Sequence, residues 1–333
     1  MSNIFNTDYV DLSSSNNLLH DFFQIIQNFD KMNIKEMEPT IKNINKNIFD
    51  GDLSIAVDEL VNLIFKGLNE GKDEEVLKRH VLNYINNHNI ILQEIYDWLL
   101  NNQCNSNSIC LLGYFNFYGI EVNVNRQIAI ELYHKAAKSE NNVAQLNLAN
   151  IYIYGKGTDK NYDLAFKLAK NLAEKDVPNA INKLGYCYNN GIGTDVNEQK
   201  AFELYKKAAD LGSSAAMSNL GWCYDKGTGT VVDKSKAFEL FQMSANLGNS
   251  YGLNNLGWFY EGVGTDADKQ KAFELYQKAA NNGNYIAQYN LALLYENGNG
   301  TEKDISQAIY WYNASAENGY PYAKHKLEEL LDV

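Results

Sequence analysis

One motif recurs through the later two-thirds of the chain at almost constant spacing. A leucine followed by a glycine or an alanine occurs six times, and successive copies lie 36, 36, 36, 36 and 35 residues apart. The six pairs are Leu112-Gly113, Leu148-Ala149, Leu184-Gly185, Leu220-Gly221, Leu256-Gly257 and Leu291-Ala292. A fixed period of this length is typical of stacked supersecondary units, each burying its apolar face against its neighbours. The period therefore predicts a solenoid.

Each unit has the pattern of two helices joined by a glycine turn. In the first half, Ala216, Leu220 and Tyr224 are spaced by four, so their side chains share one helix face. The second half, as in KAFELYKKAADLG, follows the apolar spacing of an amphipathic helix. Glycines such as Gly212 and Gly248 follow these second helices, where a left-handed cap is common. The patterns predict an all-α fold, which suits a chain with only three prolines.

These hallmarks together resemble the Sel-one-like repeat, a tetratricopeptide-like (TPR-like) unit with the same 36-residue period. The resemblance rests on the leucine-glycine helix with its tyrosine, the GxG turn and the KAxxxYxKAAxxG helix. It implies an α-solenoid of about six helix-turn-helix repeats that form a right-handed superhelix. The first copy departs from the pattern at Asn116 and Glu121, which replace the tyrosine and the second glycine. A terminal repeat commonly departs in this way.

The chain before the repeats keeps helical patterns but shows no clear period. We expect an all-helical extension that packs on the first repeat, preceded by a flexible N-terminus. The predicted segments are a flexible N-terminus at 1–15, the helical extension at 16–105, the repeat array at 106–320 and a C-terminal capping helix at 321–333.

Composition excludes several classes of protein. Lysine and arginine number 29 against 41 aspartates and glutamates, a formal net charge of −12. Nucleic-acid binding needs clustered basic residues, so we expect no nucleic-acid partner. No stretch approaches the roughly 18 uninterrupted apolar residues of a membrane span, and the acidic, polar start does not match a secretory signal. We expect a cytoplasmic protein without membrane insertion.

No arrangement of residues indicates catalysis, a metal or a cofactor. The GxG segments recur between helices, whereas a phosphate-binding glycine loop occurs once after a strand. Cys187 and Cys223 occupy a repeat position that holds Phe259 elsewhere, so we interpret them as core residues. His80 and His88 could share one helix face, but a metal site there is a weak alternative. We predict no catalytic residue, no metal and no cofactor.

The first helices carry an aromatic series two residues after the repeat leucine. By resemblance to tetratricopeptide arrays, this face would line a concave groove, with amides on one side and carboxylates toward one edge. Tryptophan and tyrosine dominate binding hot spots. The alternative is that the tryptophans pack between helices as core. Twelve residues form this candidate face: Asn182, Tyr186, Asn189, Ser218, Trp222, Asp225, Asn254, Trp258, Glu261, Tyr289, Leu293 and Glu296.

The resemblance implies a non-enzymatic scaffold or adaptor that binds a segment of a partner protein in this groove. We expect a cytosolic signalling role and, from the acidic edge, a partner with basic residues. One alternative is the detached regulatory region of a kinase-type signalling protein, acting through the N-terminal helices. A second is a hydrolase, because some bacterial relatives were described as β-lactamase-like. A hydrolase requires a nucleophile with a positioned base, and the sequence shows none.

Overall fold

Only helices occur in the part of the chain that the structure describes. This computed structural model describes residues 34–263 and 268–331, and within them it shows sixteen α-helices and no strand. The predicted all-α solenoid of about six repeats is confirmed. The segment predicted to be flexible, 1–15, lies outside the described residues, and the predicted domain boundaries stay predictions.

The helices follow the repeat closely. Three helices precede the array: α1 (Ile34–Glu70), α2 (Glu74–Asn87) and α3 (Leu92–Asn101). The first helices of the six repeats are α4 (Ser106–Tyr118), α6 (Asn142–Tyr154), α8 (Pro178–Asn190), α10 (Ser214–Lys226), α12 (Ser250–Trp258) and α14 (Tyr285–Asn297). The second helices are α5 (Arg126–Lys138), α7 (Tyr162–Ala173), α9 (Glu198–Asp210), α11 (Lys234–Asn246), α13 (Lys269–Asn281) and α15 (Ile305–Glu317). A π-helical turn, Phe259–Val263, follows α12, and α16 (Pro321–Leu331) comes last.

The chain divides after Ser54, and residues from Ile55 onward form one compact unit. The described part of the preceding unit, residues 34–54, is helical. No helix among the described residues is both long and apolar enough to span a membrane.

The small residue after the repeat leucine makes room for a ring of the second helix. A Cβ atom added to Gly221 would lie 2.8 Å from Cε1 of Phe241, a ring that is fully buried. In the second repeat, Ala149 replaces the glycine and Ala169 occupies the ring position. Glycine meets a ring in the same way at Gly113 with Tyr133, Gly185 with Tyr205 and Gly257 with Tyr276, whereas the last repeat combines Ala292 with Tyr312. This close contact sets the packing of the two helices within a repeat.

One polar residue per repeat ties the second helix to the first. Asn197 caps α9 by accepting a hydrogen bond from the backbone nitrogen of Lys200 at 2.9 Å. Its own backbone nitrogen donates to the carbonyl oxygen of Tyr188 at 2.8 Å. A helix cap of this type contributes about 1 kcal/mol. The equivalent caps in the other repeats are Asn125, Asn161, Asp233, Asp268 and Asp304.

The two helices α1 and α2 form a hairpin with its own apolar contact. Leu77, Val81 and Ile85 on α2 are buried, and Leu77 lies directly against Gly67 of α1. Gly71 stands in the turn with a φ of +77°, a conformation that favours glycine. The extension was expected to pack on the first repeat, but this turn also contacts later repeats, as described next.

Candidate partner-binding face

The three amide and hydroxyl side chains of the candidate face join neighbouring first helices. Asn182 accepts a hydrogen bond from Asn219 of the next repeat at 2.8 Å, and Asn254 accepts one from Asn290 at 3.0 Å. Between them, Asn255 donates to the hydroxyl of Ser218 at 3.2 Å. We call these three bonds the polar ladder. Because Asn182, Ser218 and Asn254 are buried, they hold the array together and do not present a free surface.

The carboxylates of the predicted acidic edge are also engaged within the array. Asp225 is almost fully buried and forms ion pairs with Lys226 at 2.8 Å and Lys234 at 2.6 Å. Burial alone would raise the pKa of Asp225, but the hydrogen bonds from these lysines hold that pKa below its usual value. Glu261 accepts from Tyr276 and Glu296 from Tyr312, hydroxyls of the second helices. Asn189, at the equivalent position, is half-buried, and its side-chain oxygen has no hydrogen-bond partner.

The residues of the aromatic series differ in exposure and in the groups that they contact. Trp222 is 44% exposed. Trp258 is half-buried, with the ammonium of Lys226 4.7 Å from its ring centroid. Tyr186 is half-buried with its ring 6.1 Å from that of Tyr154. At the far end, Tyr289 and Leu293 are half-buried and pack on the core of the last repeat.

Sequence reasoning missed the main occupant of this side of the array, which is the turn between α1 and α2. We call residues 67–79 the docking segment. Ser214 Oγ donates to the carbonyl oxygen of Glu70 at 2.6 Å. Asn249 Nδ2 donates to the carbonyl oxygen of Gly71 at 2.8 Å. These donors stand at the N-terminal ends of α10 and α12, as Asn179 does in α8, where its Nδ2 donates to the carbonyl oxygen of Leu68 at 2.7 Å.

Charged side chains of the docking segment meet complementary groups. The carboxylate of Asp73 accepts from the backbone nitrogen of Ser250 at 3.0 Å and from its hydroxyl at 2.8 Å, at the start of α12. Glu74 pairs with Lys156 at 2.7 Å. Burial raises the pKa of Asp73 to about 6, although the bonds from Ser250 act in the opposite direction.

The lysines of the docking segment lie at helix C-terminal ends. Lys72 Nζ donates to the carbonyl oxygen of Leu247, the residue that caps α11, at 2.9 Å. Lys78 Nζ donates to the carbonyl oxygen of Tyr118, the last residue of α4, also at 2.9 Å. The helix dipole favours cations at C-terminal ends and carboxylates at N-terminal ends. The docking segment is therefore complementary to the array in charge as well as in hydrogen bonding.

The contacts of α2 show that the array curves around it. Glu75 lies beside Gly283, between the fifth and sixth repeats, and Lys78 reaches Tyr118 in the first repeat. These two residues are only about 5 Å apart along a helix axis. Six first helices stacked in a straight row, about 10 Å apart, would place the first and last roughly 50 Å from each other. The docking segment therefore lies on the concave side of the array.

Tyrosines of four first helices gather on the same side. Tyr154 and Tyr251 are 49% and 42% exposed, yet loss of hydration at their hydroxyls raises the pKa of both, and the nearby Tyr285 adds to the effect. Tyr186 also contributes to the raised pKa of Tyr154. Burial lowers the pKa of Lys183 to about 8, against the opposing charge of Glu74. The ammonium of Lys183 donates to Asn150, so this group is engaged within the array.

The described residues contain no cluster that suggests metal or thiol chemistry. No three histidine, cysteine, aspartate or glutamate side chains in this part of the chain are placed to hold a metal ion. Burial raises the pKa of the Cys187 thiol to about 11 and that of Cys223 to about 12, so both stay protonated at neutral pH. His80 and His88 are exposed, and His88 stacks on Tyr84.

Comparison with known proteins identifies the repeats. The family model described as the Sel1 repeat matches residues 106–141, 142–177, 178–213, 214–249, 250–284 and 286–320. No curated protein sequence matches the chain. A Sel1 repeat protein from Oxalobacter formigenes is similar in structure, with 31% sequence identity, a TM-score of 0.54 and coverage of 67% of this chain and 91% of that one.

A second similar structure is c5321, a protective antigen of uropathogenic Escherichia coli that displays the same type of fold. It is 26% identical, with a TM-score of 0.46 and coverage of 89% of this chain and 67% of that one. The repeated motifs, the helix pairs and the six matched segments agree with one another. The chain therefore belongs to the Sel1 repeat family.

Proposed function

We propose that the protein is a non-enzymatic scaffold that binds a segment of a partner protein on the concave side of its repeat array. Sel1 repeats typically serve as protein–protein interaction modules. The observation that carries the proposal is that the concave side already holds a chain segment: side chains from several repeats donate hydrogen bonds to residues 67–79. Such a surface is suited to the backbone and polar side chains of a peptide.

The aromatic residues provide the contact area for the partner. Ala215 of α10 lies against Gly71 of the docking segment. Trp222 is seven residues further along α10 and so faces the same side, about 10 Å away. A large, partly exposed indole in this position is typical of a binding hot spot. The proposed contact surface consists of Tyr186, Trp222 and Trp258. The carboxylates of the candidate face, together with Asn182, Ser218 and Asn254, are engaged within the array.

A scaffold without catalysis agrees with the chemistry of the described residues. The buried thiols of Cys187 and Cys223 are protonated, which makes them poor nucleophiles. All four cysteines are free thiols, as is usual in a reducing compartment. We accordingly propose a role as a cytosolic signalling adaptor.

The experiment compares partner capture from native lysate by the intact chain, by Trp222→Ala and by Tyr310→Ala. Tyr310 is a matched control because it is 60% exposed but lies on a second helix, α15. We expect Trp222→Ala to lose at least nine-tenths of a captured partner and Tyr310→Ala to keep it, with equal helix content by circular dichroism. Equal capture by all three chains would contradict the proposed surface and favour the N-terminal helices as the binding region.

A further inference from the structure

The hydrogen bonds between the docking segment and the array run in two directions, which depend on the end of the array helix that is contacted. At the N-terminal ends of α8, α10 and α12 the array supplies the donors, and the segment supplies backbone carbonyls and the Asp73 carboxylate. At the C-terminal ends of α4 and α11 the roles reverse, and Lys72 and Lys78 donate to array carbonyls. The array is therefore complementary to one charge pattern in the docking segment. The pattern consists of two carboxylates at the start of a helix, Asp73 and Glu74, and a basic residue one turn later, Lys78.

Part of the apolar contact of this region lies within the hairpin itself. Leu77, the large apolar side chain in the second half of the docking segment, packs against Gly67 of α1. Toward the array the same segment offers polar groups that are partly exposed to water. The ion pair of Glu74 with Lys156 is 37% and 35% exposed on its two sides. An ion pair that is exposed to this extent contributes about 1 kcal/mol or less.

We propose that the docking segment is an intramolecular ligand that closes the concave face, and that the partner carries the same pattern of two adjacent carboxylates at a helix start followed by a basic residue. The proposal rests on the proposed function and specifies the partner and its regulation. A segment tethered in the same chain competes at an effective concentration in the millimolar range. A partner segment therefore binds well only when the contacts of residues 67–79 are weakened.

The test uses a fluorescein-labelled peptide with the sequence of residues 67–79, GLNEGKDEEVLKR, and the full-length chain. Glu74→Lys weakens the contact between the docking segment and the array of the same chain, because it places a like charge beside Lys156. Glu94→Lys is the matched control: it makes the same charge change at an exposed position of α3, outside the docking segment. Fluorescence anisotropy then measures binding of the peptide to each chain.

We expect the Glu74→Lys chain to bind the peptide at least tenfold more tightly than the natural chain or the Glu94→Lys chain. Adding Lys156→Glu to the Glu74→Lys chain restores the ion pair between residues 74 and 156 with reversed charges. Peptide binding should then weaken again by at least tenfold. If the Glu74→Lys chain does not fold, Gly71→Ala serves as the opening variant, because a Cβ at Gly71 would lie 2.6 Å from the backbone nitrogen of Ala215.

Equal affinities for all chains would overturn the proposal. A concentration-dependent dimer of the Glu74→Lys chain in sedimentation would also overturn it, because the occupant would then be a second copy of this chain. These outcomes are separate from the test of the proposed function. Partner capture that depends on Trp222 can persist when the peptide fails to bind, and the peptide can bind when capture does not depend on Trp222.

Discussion

Asp73 accepts two hydrogen bonds from Ser250, a residue 177 positions later in the chain. The bonds join the start of α2 to the start of α12 and place a carboxylate at the N-terminal end of a helix in the fifth repeat. Among the residues that the structure describes, few hydrogen bonds span so much sequence. This contact, with its neighbours in the docking segment, connects the N-terminal hairpin to the concave side of the array.

The stability of this contact depends on pH. The folded-state pKa of Asp73 is about 6, above its ordinary value of 3.8, so the folded chain binds the proton more tightly than the unfolded chain does. The free energy of unfolding contributed by this group is therefore fully present below pH 4 and falls as pH rises through 6. Lys72 and Glu74 also influence this pKa, in opposite directions.

Asp73→Asn should remove that dependence, because an amide can accept from the backbone nitrogen of Ser250 and donate to its hydroxyl without carrying a charge. Urea unfolding of both chains between pH 4 and pH 7 measures the effect. We expect the variant to gain on the order of 2 kcal/mol relative to the natural chain over this range. Parallel stability curves would show that Asp73 is not buried in this way.

Gly71 should be intolerant of a side chain. Ala at this position combines an unfavourable positive φ with a Cβ 2.8 Å from Cβ of Ala215. Gly212→Ala is a matched control, because Gly212 also has a positive φ but has no atom within 4 Å of an added Cβ. We expect Gly71→Ala to cost at least about 1 kcal/mol more than the control. Limited proteolysis should then cleave within residues 67–79 of the Gly71 variant first. An equal loss of unfolding free energy in the two variants would contradict the close contact between Gly71 and Ala215.

Gly221→Ala should destabilise the fourth repeat. The added methyl group would meet the ring of Phe241, which is buried and cannot move freely, at a cost of about 1–3 kcal/mol. Combining it with Phe241→Leu should cost less than the sum of the two single changes, because the smaller side chain leaves room for the methyl group. Thermal unfolding of the four chains gives the coupling; strict additivity would contradict the contact.

The polar ladder should contribute measurably to stability. Asn219→Ala removes the donor to the buried oxygen of Asn182, and leaving that oxygen without a partner costs about 1–3 kcal/mol. Asn190→Ala is the control, because Asn190 is exposed and lies near the end of the neighbouring first helix α8. Urea unfolding should separate the two variants, and similar small effects would indicate that water replaces Asn219 readily.

The repeat itself was predictable from sequence because every copy has the same local requirement. In most repeats the glycine after the leucine leaves room for a ring of the second helix in the same repeat, so the motif recurs with the period of the structure. The polar ladder carries a weaker signal of the same kind, since Asn219, Asn255 and Asn290 directly precede the repeat leucine in three successive copies. Repeated polar residues beside a core position could have been recognised as contacts between repeats.

The position of the docking segment could not be predicted in this way. Several of its hydrogen bonds to the array are accepted by backbone carbonyl oxygens, as at Glu70, Gly71 and Leu247. Every residue carries such a carbonyl, so the residue types do not reveal these bonds. The segment also occurs once, so no period marks it. The predicted acidic edge failed to anticipate its internal partners for a related reason: Tyr276 and Tyr312 pair with carboxylates across a helix pair, not along one helix.

The most direct test of this account is a cross-link between the docking segment and the fifth repeat. Asp73→Cys and Ser250→Cys are combined with Cys104→Ser, which removes the exposed native thiol. The control pairs Asp73→Cys with Asn318→Cys at the exposed end of α15. Under mild oxidation we expect an intramolecular disulfide between residues 73 and 250 that forms at least tenfold faster than in the control. Equal rates in the two chains would contradict the placement of the docking segment on the concave side.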